Sequence, residues 1–114
     1  MRKISIQAVS PGQYSACFLG VEDSLHPKCG PGWRFWFKIV DGNFSGLKVA
    51  RTTPPASTAG NITGRLLAGL AGRPLIAGEE VDADEFIGSR YVIEVGLNDE
   101  GKPRVISVRP ENID

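Results

Sequence analysis

The sequence predicts a small, mainly β domain of five strands, with one helix between the third and fourth. Three observations carry this reading. Trp33 to Val40 (WRFWFKIV) alternates in character from residue to residue, as a strand does. Four other stretches are rich in branched and aromatic residues and are bounded by Gly, Pro, Asn or Asp. Only one segment, residues 58–71, carries its apolar residues at helical spacing.

The elements follow in order. Pro11-Gly12 signals a turn, and Gln13 to Val21 then reads as strand one. Residues 22–32 (EDSLHPKCGPG) read as a loop, because two prolines and two glycines interrupt any regular element. Trp33 to Val40 is strand two, and Asp41-Gly42-Asn43 turns the chain into strand three, Leu47 to Thr53. Pro54-Pro55 ends that strand, since proline cannot donate to a ladder. Ser57 or Thr58 can cap a helix with Ile62, Leu66, Leu67 and Leu70 on one face, and Gly72 stands where a left-handed terminator belongs. Asp82-x-x-Glu85 resembles a capping box and predicts a short helical turn up to Gly88. Tyr91 to Leu97 and Arg104 to Arg109 are strands four and five, joined by the polar turn Asn98-Asp99-Glu100-Gly101. Residues 3–9 are a candidate extra strand.

Three strands, a helix and two strands is the order of the OB-fold, a five-stranded Greek-key barrel. The chain has 114 residues, a length that fits one such domain over 1–114 and a core needing no metal or disulfide. Nothing approaches the roughly 18 apolar residues of a membrane span, and no apolar run follows Met1-Arg2-Lys3. A cytoplasmic protein without membrane contact is the expectation. Thirteen basic and thirteen acidic residues cancel, so no global polycation argument holds. The halves differ, however. Residues 1–58 carry seven basic groups against three acidic ones, and residues 59–114 carry six against ten. A basic face on a neutral chain is one form the footprint of a polyanion-binding protein takes.

Alternation along strand two puts Trp33, Phe35, Phe37 and Ile39 on one face, which should fill the interior. Arg34, Trp36, Lys38 and Val40 fall on the other, with an indole between two cations on a face that a barrel turns outward. Lys48 on strand three can share that face. A flat aromatic flanked by basic groups suits single-stranded nucleic acid, because bases stack and phosphates carry charge. OB-folds bind across strands two and three, framed by the 1–2 and 4–5 loops. Here the 1–2 loop offers His26 and Lys28. Arg51 joins the set only if a bulge turns it outward, since strict alternation places it with Leu47 and Val49. The competing reading packs Trp36 under the N-terminal segment and leaves Arg34 and Lys38 as solvated edge charges.

Several stretches carry a family likeness: Tyr14 to Glu22, Gly30 to Phe37, Asp41-Gly42 with Gly46, Val49 to Thr53, Leu66 to Pro74 and Glu85 to Tyr91. Together they resemble a family of small bacterial and phage proteins that are similar to phage OB-fold single-stranded-DNA-binding proteins. The resemblance covers about Pro11 to Val108. It implies an OB barrel and accessory work in replication or recombination, with proteins of those processes as partners. It implies no catalytic residues.

Catalytic and metal arrangements are poorly supplied. His26 and Cys29, with Cys17 upstream, give three ligands where structural zinc wants four at paired short spacings. Cys17, beside Phe18, reads as a buried free thiol, and no secretory signal supports a Cys17–Cys29 disulfide. No orienting carboxylate accompanies a Cys29–His26 pair. Gly60-Asn-Ile-Thr-Gly64-Arg65 lacks the Gly-Lys-Ser/Thr ending of a phosphate loop, and Glu79, Glu80, Asp82, Asp84 and Glu85 do not have EF-hand spacing. The expectation is a non-enzyme with no cofactor and no metal. It binds single-stranded DNA or RNA through Arg34, Trp36, Lys38, Lys48 and Arg51. The alternative is an OB-fold protein-interaction or assembly module, and homo-oligomerisation is left open.

Overall fold

The computed structural model describes residues 8–27, 30–55 and 61–111. Five strands form one antiparallel sheet in the order β3-β2-β1-β4-β5. They are β1 (Gly12–His26), β2 (Gly30–Ile39), β3 (Lys48–Thr53), β4 (Arg90–Leu97) and β5 (Pro103–Pro110). Helix α1 (Ile62–Ala71) and a 3-10 turn (Ala83–Phe86) lie between β3 and β4. The expected element order is therefore present. Of the candidate extra strand at residues 3–9, Ala8 and Val9 are not in a strand and residues 3–7 lie outside the described residues.

Residues 22–32 differ from expectation. Residues 22–26 and 30–32 are strand rather than loop: β1 runs on to His26 and β2 begins at Gly30, so Asp23 pairs with Trp33 and Leu25 with Pro31. The prolines and glycines that suggested a break sit at the tip of a long hairpin. Pro31 falls at the start of its strand, where a missing N–H is tolerated. Lys28 and Cys29 lie outside the described residues.

β1 serves two neighbours. Gly12 to Cys17 pairs with β4 and Ala16 to His26 pairs with β2, so the two ladders overlap at Ala16 and Cys17. A bulge between Phe18 and Gly20 bends the strand, and Gly20 takes φ 130°, which side chains rarely adopt. The bulge resets alternation, so Val21 faces Phe35 inside and Glu22 faces Arg34 outside.

Phe18, Phe35, Phe37 and Ile39 are buried together with Ile93, Val95 and Val105. The Phe18 and Phe37 ring centroids are 5.3 Å apart. Trp33, expected in this set, is 37% exposed. It sits on the hairpin arm beyond the core, and its indole N–H donates to Pro55 O at 3.0 Å. Leu66 and Leu70 of α1 are buried in the same core.

The helix starts later than expected, because Asn61 is its cap rather than Ser57 or Thr58, which lie outside the described residues. Asn61 Oδ1 accepts from Gly64 N at 2.9 Å, and the first apolar residue of the helical face, Ile62, follows directly. Gly72 ends the helix at φ 73°, as expected. Asp82 caps the 3-10 turn by accepting from Asp84 N at 3.0 Å.

Tyr91 ties the helix end to β4: its hydroxyl donates to Leu70 O at 2.7 Å. Tyr91→Phe should cost about 1 kcal/mol of stability. Burial pushes the phenol above its ordinary value of 10.0. Below that pH both states are protonated and the contribution is complete. Above it the unfolded chain loses its proton first, so the contribution fades as pH rises through the folded value. Urea unfolding of wild type and Tyr91→Phe at neutral and strongly alkaline pH checks this, because the gap between them should narrow at high pH.

The sheet is open. Among the described residues no backbone ladder joins the outer strands β3 and β5, where the sequence reading expects barrel closure. The two strands nonetheless lie against each other, and Arg51 Nη1 on β3 donates to Val105 O on β5 at 3.0 Å.

Candidate nucleic-acid interface

The β2–β3 register determines what the outer face presents. Lys38 pairs with Lys48, Trp36 with Ala50, and Arg34 with Thr52. Lys38 and Lys48 are both exposed and directly opposed, an arrangement that destabilises a sheet unless an anion is nearby. Arg34 Nε donates to Thr52 Oγ1 at 3.3 Å, which holds the guanidinium along the face.

Trp36 is half-buried, and its surroundings explain why. On β1 its partner is Gly20, and on β3 it is Ala50. The two flanking positions thus carry the smallest side chains available, and the indole stands up between two depressions. One, of about 490 Å³, is lined by Gly20, Val21, Glu22, Asp84 and Ile87. The other, of about 440 Å³, lies toward β5. Trp36 and Lys48 border both.

One contact was not legible in the sequence. Trp36 Nε1 donates to Glu22 Oε1 at 2.7 Å, and the same carboxylate oxygen is 3.9 Å from Arg34 Nη1. The Arg34 guanidinium carbon lies 5.8 Å from the Trp36 ring centroid, within cation–π range. Glu22, assigned to a loop by the sequence reading, is thereby the anchor that sets the indole's edge and holds Arg34 beside it. The only sequence signal was its place just beyond strand one.

Arg51 does not turn outward. The β2–β3 register has no bulge, so Arg51 opposes Phe35 and points toward the β3–β5 seam. There it borders the 440 Å³ groove from below. Lys102 and Arg104 border that groove too, and sequence reasoning missed both, because they sit in the acidic half of the chain. Their loop is a rigid turn: Asn98 Oδ1 accepts from Glu100 N and from Lys102 N, each at 2.9 Å. The groove's cations are therefore Arg34, Lys48, Arg51, Lys102 and Arg104, and among the described residues no carboxylate lines it. Burial, reinforced by the charges of Arg104 and Arg65, lowers the Arg51 pKa from its ordinary value.

Cys17 is half-buried rather than buried, since it falls on the outer face across from Lys38 and Arg90; its thiol is free. Among the described residues no three His, Cys, Asp or Glu side chains gather as a metal site, and no helix is long and apolar enough to cross a membrane. No protein-family model matches the chain, and no curated protein matches it.

Proposed function

We propose that the chain is an OB-type module that binds single-stranded nucleic acid, single-stranded DNA in the first instance, across the outer face of β2 and β3. The observation that carries this reading is Trp36, flanked by Gly20 and Ala50 and surrounded by Arg34, Lys38 and Lys48. A base can stack on the indole while the cations meet phosphates. The OB assignment draws on the strand order, on α1 between β3 and β4, and on the approach of β3 to β5. The β4–β5 turn frames one side of the surface, as in that fold. Accessory work in replication or recombination, inside the cell and without catalysis, is the role that goes with it.

The test is a titration with oligo-dT, followed by tryptophan fluorescence at two salt concentrations. Affinity should fall as salt rises, because counterions are released from the strand. Lys38→Ala should lower the slope of log affinity against log salt by about 0.7, one phosphate contact fewer. An unchanged slope removes Lys38 from the interface. A folded protein that binds no single strand at low ionic strength is instead an interaction module, with Trp36 and Arg34 as protein anchors.

A further inference from the structure

The seam between β3 and β5 gathers positive charge around one buried, unpartnered donor. Arg51 reaches across it from β3 to Val105 O. Arg104, the neighbour of Val105 on β5, borders the same groove. Its Nε is buried, and it is the buried side-chain nitrogen among the described residues that has no hydrogen-bond partner. A guanidinium donor removed from water without an acceptor is costly, and that cost favours any rotamer that offers it to a ligand. Arg65 of α1 adds a third positive charge close enough to act on Arg51. Among the described residues no carboxylate lines this groove; Asp99 and Glu100 share the neighbouring depression with Arg104, and Glu100 pairs with Lys102 at 3.7 Å.

We propose that Arg51 and Arg104 form a phosphate-binding subsite at the β3–β5 seam, occupied by a backbone phosphate of the bound single strand. This rests on the reading of the outer face as a nucleic-acid surface and adds where the strand goes. From Trp36 and the opposed Lys38 and Lys48 it continues under the 98–102 turn toward the β3–β5 seam. A phosphate accepting from both guanidiniums also joins two strands that no ladder joins, so the ligand completes the sheet. Arginine suits that task because its planar fork meets phosphate with paired donors.

Thermal unfolding in sodium phosphate, against sodium chloride at matched ionic strength, tests the subsite by itself. Labelled oligo-dT anisotropy tests the strand. Wild type should gain about 4 °C once phosphate reaches about five times its dissociation constant. Arg104→Gln should lose that gain, bind oligo-dT about tenfold more weakly and show a salt slope smaller by about 0.7. Arg104→Lys, which keeps the charge without the fork, should recover the slope but not the full affinity. It also carries the comparison if the glutamine variant does not fold. Phosphate that stabilises wild type no more than chloride overturns the subsite, even if oligo-dT still binds. A phosphate gain that depends on Arg104, in a protein that binds no oligonucleotide, overturns the assignment to a strand and the surface reading with it.

Discussion

Leu66→Ala should lower folding stability by about 2–5 kcal/mol, the largest effect expected of any single change considered for this chain. Leu66 is 1% exposed and enters the core from α1, beside Leu70 and the buried side chains of the sheet. Truncation removes its transfer free energy and leaves a cavity. The helix cannot simply settle inward to fill it. At Gly69 a Cβ would come within 2.2 Å of Val108 O, so the α1 backbone already presses on β5. Limited collapse places the loss toward the upper part of the range. Urea unfolding with an unchanged m-value measures it. A loss below about 1 kcal/mol would mean that α1 does not close this end of the core.

Trp36→Ala should cost about 1–3 kcal/mol of affinity for oligo-dT while leaving stability nearly unchanged. The asymmetry follows from position. The indole stands on the outer face between Gly20 and Ala50, so its removal opens no hole in the core. It also frees Glu22, whose side chain is 54% exposed and is resolvated at little cost. A labelled oligonucleotide is the right reporter, since the variant loses a fluorophore. Unfolding of the variant would assign Trp36 to packing, and equal affinity would remove the stacking role. Glu22→Gln is informative beside it: the hydrogen bond to the indole can survive while the charge holding Arg34 is gone.

Much of this was readable from the residues because alternation is a strong signal. Trp33 to Val40 announced two faces, and the structure places Phe35, Phe37 and Ile39 inside and Arg34, Trp36 and Lys38 outside. What alternation cannot convey is where a core stops along a strand. Trp33 has the right parity and the wrong distance, out on the hairpin arm. The same limit hid Glu22. A run with two prolines and two glycines looked like a loop, and the bulge at Phe18 to Gly20 changed the parity of everything after it. Arg51 follows its parity, while Lys102 and Arg104 reach the groove through a neighbour relation between β3 and β5 that spans half the chain. Local pattern carries no information about such a pairing.

β1 is joined to β2 through one short connection, yet its other edge must find β4, with Gly12 meeting Val95 and Cys17 meeting Arg90. In kinetic terms the molecule divides into two pieces that can form early. The β1-β2-β3 meander and the β4–β5 hairpin each need only local loop closure, which is fast. Bringing them together closes a loop containing β2, β3, α1 and the 3-10 turn, and the chain entropy of that closure is spent before any β1–β4 contact repays it. Docking of β4 on the first six residues of β1 is thus the step expected to be slow in folding. The helix, which packs on β5 and the core, has no complete surface to rest on until that docking is done.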